Sequence, residues 1–347
     1  MRISRFQDAP LRDFQKMVEI NVAVAEGVPA AGVVEQIKQV IETEPVVVFM
    51  KGTPQAPACG NSHRALLALW QAGKFLKAAH VHFEPGVNED LAATAIWGSQ
   101  YVGSFPGAKV EGVFGIWYGK GPGVDRSGDV LKHANNAGTS PLGGVLALAG
   151  DDHTCKSSTL AHQSEYAFMD ASIPVLHPSG VQEILDYGLY GWAMSRYSGC
   201  WVSMKCIADT MDAAASIHVD PQRQGIVIPN DFEMPEGGLH IRWPDDWNVQ
   251  EYRLHRYKAY AALAFARANK LDNIVLDSPK PRFGIITTGK AYHDTREALE
   301  YLGIDDRLAA EIGIRLYKVG MSWPLEREGA RHFAEGLEED RKSTRLN

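Results

Sequence analysis

A carboxyl group at a strand-to-helix corner is placed to do chemistry, and Glu89 occupies such a corner. It lies in Phe83-Glu-Pro-Gly-Val-Asn-Glu-Asp-Leu-Ala-Ala-Thr-Ala. A short strand pattern, Val81 to Phe83, breaks at Pro85-Gly86. Asn88 then suits an N-cap, because its side-chain oxygen can accept an orphan N–H of the first helical turn. An acid held in a crevice there can protonate, or hydrogen-bond to, a nitrogen of a heteroaromatic ring. Downstream, Gly112-Val-Phe-Gly-Ile-Trp-Tyr-Gly-Lys-Gly-Pro-Gly-Val-Asp-Arg-Ser-Gly-Asp reads as strand, glycine-rich loop and helix. Gly119, Gly121 and Gly123 either let backbone approach a bound group or turn the chain tightly. The run lacks both the Gly-x-Gly-x-x-Gly and the Gly-Lys-Ser/Thr spacing of phosphate loops. Lys120 and Arg126 are candidates to meet an anionic substrate, with solvated charge as the alternative. Asp151, Asp152, Ser157 and Ser158 follow a strand, and either line a crevice or cap a loop.

The rest of the chain must position these groups. At 347 residues it is long enough for two cores, and 45% hydrophobic with 22% charged residues is the balance of an ordinary globular protein. A net charge of -7 argues against broad nucleic-acid binding. No apolar run approaches the roughly 18 residues of a membrane span, and the N-terminus lacks the apolar core of a signal peptide. The expectation is a cytoplasmic protein without nucleic-acid or membrane partners. The four cysteines, at 59, 155, 200 and 206, form no Cys-x-x-Cys pair, so no self-contained metal site is expected. Cys200 and Cys206 lie on one face of an apparent strand, too far apart to bridge, and are expected to be buried and reduced. The histidines at 133, 153 and 162 show no ligand spacing, and Trp192 and Trp201 read as core.

Strands and helices alternate from about Gly32 to Met204, which predicts a largely parallel sheet covered on both faces. The strands expected are Val47–Met50, Gly112–Tyr118, Gly143–Ala149, Ile173–Leu176 and Cys200–Lys205. The helices expected are His63–Gly73, Asp125–Asn136, Leu160–Ala171 and Gly180–Arg196. Prolines and a Gly237-Gly238 pair between Asp220 and Trp247 predict a surface connection, followed by a helix over Val249–Asn269. A second α/β unit follows, with strands Phe283–Thr288 and Ile314–Val319 and helices Lys290–Leu302 and Leu325–Leu337. The basic, polar tail from Arg341 breaks the helical pattern and is set aside as a non-native end. The domain reading is 1–69, 70–219, 220–281 as linker and helix, 282–340, and the tail 341–347.

Residues from about Trp70 to Glu339 resemble the indolepyruvate (2-oxoacid) ferredoxin oxidoreductases. The likeness runs through Pro85-Gly-Val-Asn-Glu-Asp-Leu-Ala-Ala-Thr-Ala, the glycine-rich stretch from Gly112, Gly144-Val-Leu-Ala-Leu-Ala-Gly-Asp-Asp-His and Gly191-Trp-Ala-Met-Ser-Arg-Tyr-Ser-Gly-Cys-Trp-Val. Gly284-Ile-Ile-Thr-Thr-Gly-Lys-Ala-Tyr and Gly313-Ile-Arg-Leu-Tyr-Lys-Val-Gly-Met look like the family's transketolase C-terminal-like domain. The resemblance implies an α/β fold with a doubly wound parallel sheet, the thiamine-diphosphate-binding fold, plus part of that second domain. It implies thiamine diphosphate as cofactor, a 2-oxoacid such as indolepyruvate as substrate, coenzyme A and ferredoxin as partners, and a homo- or hetero-oligomer. Glu89 takes the place of the glutamate that hydrogen-bonds the aminopyrimidine ring and favours its imino form. Gly119, Gly121 and Gly123 fall beside it as cofactor-binding positions. Gly150-Asp-Asp lacks the third glycine and the asparagine of the family's magnesium-diphosphate motif, so that metal is assigned to a domain not found here. The chain alone is expected to have no turnover.

Gly32 to about Leu69 resembles the first half of a monothiol glutaredoxin. The stretch carrying this is Val46-Val-Val-Val-Phe-Met-Lys-Gly-Thr-Pro-Gln-Ala-Pro-Ala-Cys-Gly-Asn-Ser, in which Asn61 replaces the family's aromatic. It implies Cys59 as a thiolate at a helix N-terminus, with Lys51 beside a glutathione carboxylate and a shared [2Fe-2S] cluster. The segments that hold glutathione later in that family are not found, so this role stands as the alternative. Lys51-Gly-Thr-Pro also takes the place of the oxidoreductases' substrate-binding turn, which makes Lys51 and Thr53 substrate candidates. The first seventy or so residues read either as a glutaredoxin remnant fused to the oxidoreductase, giving a spliced or chimeric chain, which is the favoured reading, or as a mimic of its opening strand.

Overall fold

The computed structural model describes residues 46–53, 56–57, 77–78, 81–155, 160–220 and 223–343; for 46–53, 56–57, 83, 85 and 339–343 it describes the backbone alone. The larger sheet is built from β1 (Val46–Thr53), β2 (Ala56–Pro57), β3 (His82–Gly86), β4 (Phe114–Lys120), β5 (Gly144–Asp151), β6 (Val175–Leu176) and β7 (Val202–Ile207). A later strand, β11 (Met321–Trp323), completes it. The order across the sheet is β3-β1-β4-β5-β7-β6-β11, with β2 folded back on β1. All neighbours from β3 to β6 are parallel, and β11 is antiparallel.

Strands buried on both faces need apolar side chains at every position, and β5 meets that demand from Val145 to Ala149. Val145, Ala147 and Ala149 face one core, with α1 (Glu89–Ser99), α3 (Gly128–Ala137) and α4 (Ser164–Asp170). Leu146 and Leu148 face the other, with α5 (Val181–Ser198) and α8 (Ala259–Ala268). The expected doubly wound α/β sheet is therefore present. Trp192 and Trp201 are core residues, and Cys200 and Cys206 are buried free thiols. Burial pushes the Cys206 thiol up to about 12, helped by the nearby Asp151 charge.

A smaller sheet, ordered β12-β9-β10-β8, follows. It comprises β8 (Asn273–Leu276), β9 (Phe283–Thr288), β10 (Ile314–Val319) and β12 (Glu339–Ser343), with helices α9 (Lys290–Tyr301), α10 (Asp306–Ile312) and α11 (Arg327–Ala334). β8 and α10 are not among the expected elements, and two further features also differ from the sequence expectation. Residues 341–343 are part of β12 and pair in parallel with β9, so the tail set aside above is partly sheet. β11 leaves the smaller sheet immediately after β10 and pairs with β6, stitching the two units together. An ion pair between Lys318 and Glu183 crosses the same junction.

The connection from 212 to 246 contains no helix or strand among the described residues, as its prolines predict. It is not wholly superficial: Leu239 is fully buried in the second core. The helix after it is interrupted, running as α7 (Trp247–Arg253), a π-helical turn (Leu254–Lys258) and then α8. The short helix α6 (Ala208–Met211) ends β7.

Candidate functional site

The carboxyl ends of β4, β5 and β7 meet the starts of α1 and α4 at one edge of the larger sheet. Asn88 caps α1 as expected: its side-chain oxygen accepts from Leu91 N at 3.0 Å. That cap fixes Glu89 as the first helical residue and turns it inward, where it is only 3% exposed. Its carbonyl accepts a hydrogen bond from the indole N–H of Trp117 at 2.9 Å, so a fully buried residue of β4 locks the start of α1. The Arg126 guanidinium lies 3.9 Å from the Glu89 carboxylate, with its own side chain mostly in solvent.

The glycine run is not a loop, which corrects the reading above. β4 continues through Gly119 to Lys120, and α2 (Gly121–Arg126) starts at once with Pro122 in its first turn, where the missing N–H costs nothing. The three glycines make room for three neighbours. A Cβ on Gly119 would sit 2.5 Å from the Trp117 ring, and one on Gly121 would sit 2.2 Å from His162 Cβ. On Gly123 it would meet Glu89 Cγ at 2.5 Å and its Cδ and Oε1 at 2.8 Å. Gly123 therefore forms the surface against which the Glu89 carboxyl rests. The helix expected from Asp125 is divided at Ser127 into α2 and α3.

Next to this corner is a buried ionic cluster of which the sequence reading named Asp151 but missed Lys205 and Glu165. Asp151, at the end of β5, is 1% exposed and accepts from Ser164 N at 2.9 Å and Ser164 Oγ at 2.5 Å. Burial raises its carboxyl pKa against the opposing pull of those bonds and of Lys205. Lys205, from β7, donates to both carboxylate oxygens of Glu165, at 2.7 and 2.6 Å, and lies 3.8 Å from Asp151. The available signal was a lone lysine inside the apolar strand Val202-Ser-Met-Lys-Cys-Ile, since a buried charge demands a partner. Asp152 is buried too and accepts from Thr154 Oγ1 at 3.2 Å. Of the other candidates, the side chains of Lys51 and Thr53, and the whole of Cys59, Ser157 and Ser158, lie outside the described residues. Lys120 is half-buried at the end of β4. His162 pairs with Asp125 at 3.3 Å, and His133 is exposed beside Trp97. No cluster of three or more metal-ligating side chains occurs among the described residues.

His177, just past β6, packs its Nε2 against Gly289 at the junction with the smaller unit. Burial, reinforced by Lys205 and His153, holds its pKa down to about 3. Burial likewise lowers His240 to about 4, and it raises Asp272 to about 6. An unfolded histidine titrates near 6.5, so between those values the unfolded chain binds more protons than the native one. The two histidines thus contribute stability that is complete above pH ~6.5 and lost as the pH falls through about 4 and then about 3. Asp272 acts in the opposite sense between its unfolded value of ~3.9 and about 6. Urea unfolding should show the chain less stable at pH 4.5 than at pH 7.5 by a few kcal/mol, because a tenfold difference in proton affinity between the folded and unfolded states is worth ~1.4 kcal/mol. In His240→Gln the slope should be visibly smaller; an unchanged slope would refute the assignment.

Likenesses to known proteins cover much of the chain. The family model of the indolepyruvate ferredoxin oxidoreductase middle domain matches residues 272–341. The indolepyruvate oxidoreductase subunit IorA of Methanothermobacter marburgensis is 23% identical over 265 residues, covering 76% of this chain and 39% of that protein. The chain thus spans about two fifths of the length of that relative. Glutaredoxin 4 of Haemophilus ducreyi is 33% identical over 79 residues, covering 23% of this chain and 69% of that protein. A solved structure of 2-oxoglutarate:ferredoxin oxidoreductase from Magnetococcus marinus, with 2-oxoglutarate, coenzyme A and succinyl-CoA bound, aligns over 94% of this chain and 57% of that one. Its TM-score is 0.58 at 14% identity, which is a likeness of fold. The chain is similar to the indolepyruvate ferredoxin oxidoreductases and, over a shorter stretch, to a glutaredoxin. No described helix is long and apolar enough to cross a membrane.

Proposed function

We propose that this chain supplies the pyrimidine-binding part of a thiamine-diphosphate-dependent 2-oxoacid:ferredoxin oxidoreductase of the indolepyruvate type. The whole enzyme would decarboxylate its 2-oxoacid oxidatively, pass the acyl group to coenzyme A and deliver the electrons to ferredoxin. The observation that carries this reading is the Glu89 carboxyl, buried at the carboxyl edge of a parallel sheet and lodged against a residue that has no side chain.

The residues fit the cofactor's pyrimidine half. Glu89 would hold a proton at a carboxyl oxygen facing a ring nitrogen, and Trp117 fixes its backbone so that the carboxyl need not be ordered on binding. Gly123 leaves the space in which that carboxyl lies. Burial excludes water from the carboxyl and strengthens any hydrogen bond it makes. When bound, thiamine diphosphate supplies a carbanion nucleophile and an electron sink for the oxoacid carbon. Asp151 and Asp152 stand at the end of the neighbouring strand as the described candidates for the substrate side.

Calorimetric titration of the chain with thiamine diphosphate and magnesium tests the reading. Glu89→Gln keeps the shape of the side chain and removes the acid. It should weaken binding by about 10- to 100-fold, the range expected when a hydrogen bond to an ionisable group is lost. Equal affinity in the wild type and Glu89→Gln, or no binding in either, would sink it.

A further inference from the structure

The buried cluster beside the Glu89 corner has a geometry that the chemistry above leaves unexplained. Lys205, 3% exposed, donates to both carboxylate oxygens of Glu165, and its ammonium lies 3.8 Å from Asp151. Such a cluster seldom stabilises a protein more than apolar side chains of the same volume would, because each charge must first lose its water. What it does fix is place. Asp151 accepts from the N–H and the hydroxyl of Ser164, and Lys205 grips the carboxylate of Glu165. The first two residues of α4 are thus tied to the ends of β5 and β7.

α4 needs that hold. It has seven residues and no side-chain N-cap, and a helix so short does not persist on its own. Its lead-in carries His162, whose Cβ and Cγ come within 2.2 and 2.3 Å of the point where a Cβ on Gly121 would stand. His162 Nε2 also lies 3.3 Å from Asp125 Oδ2. The lead-in therefore meets α2 at its first and fifth residues, and α2 packs against α4. α2 has six residues and no side-chain cap either, and it carries Gly123, against which the Glu89 carboxyl rests. Strand register gives the span of this connection. Lys205 pairs with Ala149, and Ala149 with Gly119, across three adjacent strands. Two strand spacings separate Lys205 from Gly119 by about 10 Å, and the contacts just described bridge that gap through α4 and α2.

We propose that Lys205 is a positioning residue for the Glu89 carboxyl: by pinning the first turn of α4 to β7, it sets the wall behind α2 and with it the seat at Gly123. This rests on Glu89 being the group that meets the pyrimidine ring of thiamine diphosphate.

Calorimetric titration of the full chain with thiamine diphosphate and magnesium, well below the melting temperature of every variant, tests it. Lys205→Met together with Glu165→Met removes both charges at once, which a fold tolerates far better than the loss of one. His162→Ala leaves the cluster intact and removes the ring that backs Gly121, so it carries the test even if the first variant fails to fold. Far-UV circular dichroism verifies folding. Each variant should bind about 10-fold more weakly than the wild type, within the loss expected for Glu89→Gln. Added to Glu89→Gln, each should cause less than about a twofold further loss, because the carboxyl they position is already gone. A role in stability alone would leave affinity unmoved. Wild-type affinity in either variant when folded, or losses that add in full to that of Glu89→Gln, would overturn the inference and leave the role of Glu89 standing. Wild-type affinity in Glu89→Gln would sink that role and the inference with it.

Discussion

Gly123→Ala should abolish most thiamine diphosphate binding while changing the protein's stability little. In an ordinary helix this change is favourable by about 0.5–1 kcal/mol, because alanine loses less backbone entropy than glycine. Gly123 lies within α2 and has no left-handed backbone to protect. What opposes the change is one neighbour: the new methyl would lie 2.5 Å from Glu89 Cγ and 2.8 Å from its carboxyl carbon. The backbone of Glu89 cannot retreat, held by the Asn88 cap on one side and by the Trp117 indole on the other. The side chain must therefore rotate away, and the carboxyl goes with it. The expected result is a fall in affinity of about 10- to 100-fold, equal to that of Glu89→Gln, at a melting temperature within a few degrees of the wild type. The double variant should bind no worse than either single one, because both act on the same carboxyl. A Gly123→Ala protein that binds normally would show that the Glu89 carboxyl does not meet the ring.

The parts of this site that were legible in the sequence are those fixed by local physics. The Asn88 cap, the inward turn of Glu89 and the alternation of strands with helices follow from side-chain capping and from period, each decided within a few residues. The glycine run was misread for an equally physical reason. Glycines usually mark a turn, but Gly119 stays in β4 because the Trp117 ring lies over it, and Gly121 opens a helix because His162 crowds it from 41 residues away. No local pattern announces either contact. The pair Lys205–Glu165 was missed on the same account, since it joins two elements 40 residues apart. β11 escaped notice because three residues are too few to show a strand period. Its place beside β6 is set by the fold of both units together.

Lys258→Met should cost the protein about 2–4 kcal/mol, a large part of the ~5–15 kcal/mol that separates folded from unfolded chains. Lys258 is fully buried in the π-helical turn. Its ammonium donates to the carbonyls of Asn135 and Asn136, each at 3.1 Å. These carbonyls belong to the last turn of α3, where intrahelical partners run out, and the bonds to Lys258 satisfy them across the core. Gly138, with φ +103, opens the space that the ammonium fills: a Cβ there would lie 2.6 Å from Nζ. Replacing a buried ion pair with apolar groups can be harmless, because both charges leave together. Here the acceptors are backbone and remain, so methionine would strand two desolvated carbonyls. The pH dependence separates this cause from simple repacking. Burial lowers the Lys258 pKa to about 8, against ~10.4 in the unfolded chain. Between those values the unfolded chain holds the extra proton, so wild-type stability gains a rising contribution from this lysine across that window, and an uncharged amine still donates to both carbonyls. Lys258→Met lacks that contribution, and its deficit should therefore widen from about pH 8 to about pH 10. Urea unfolding at the two pH values measures both effects, and a variant as stable as the wild type at each would remove the capping role.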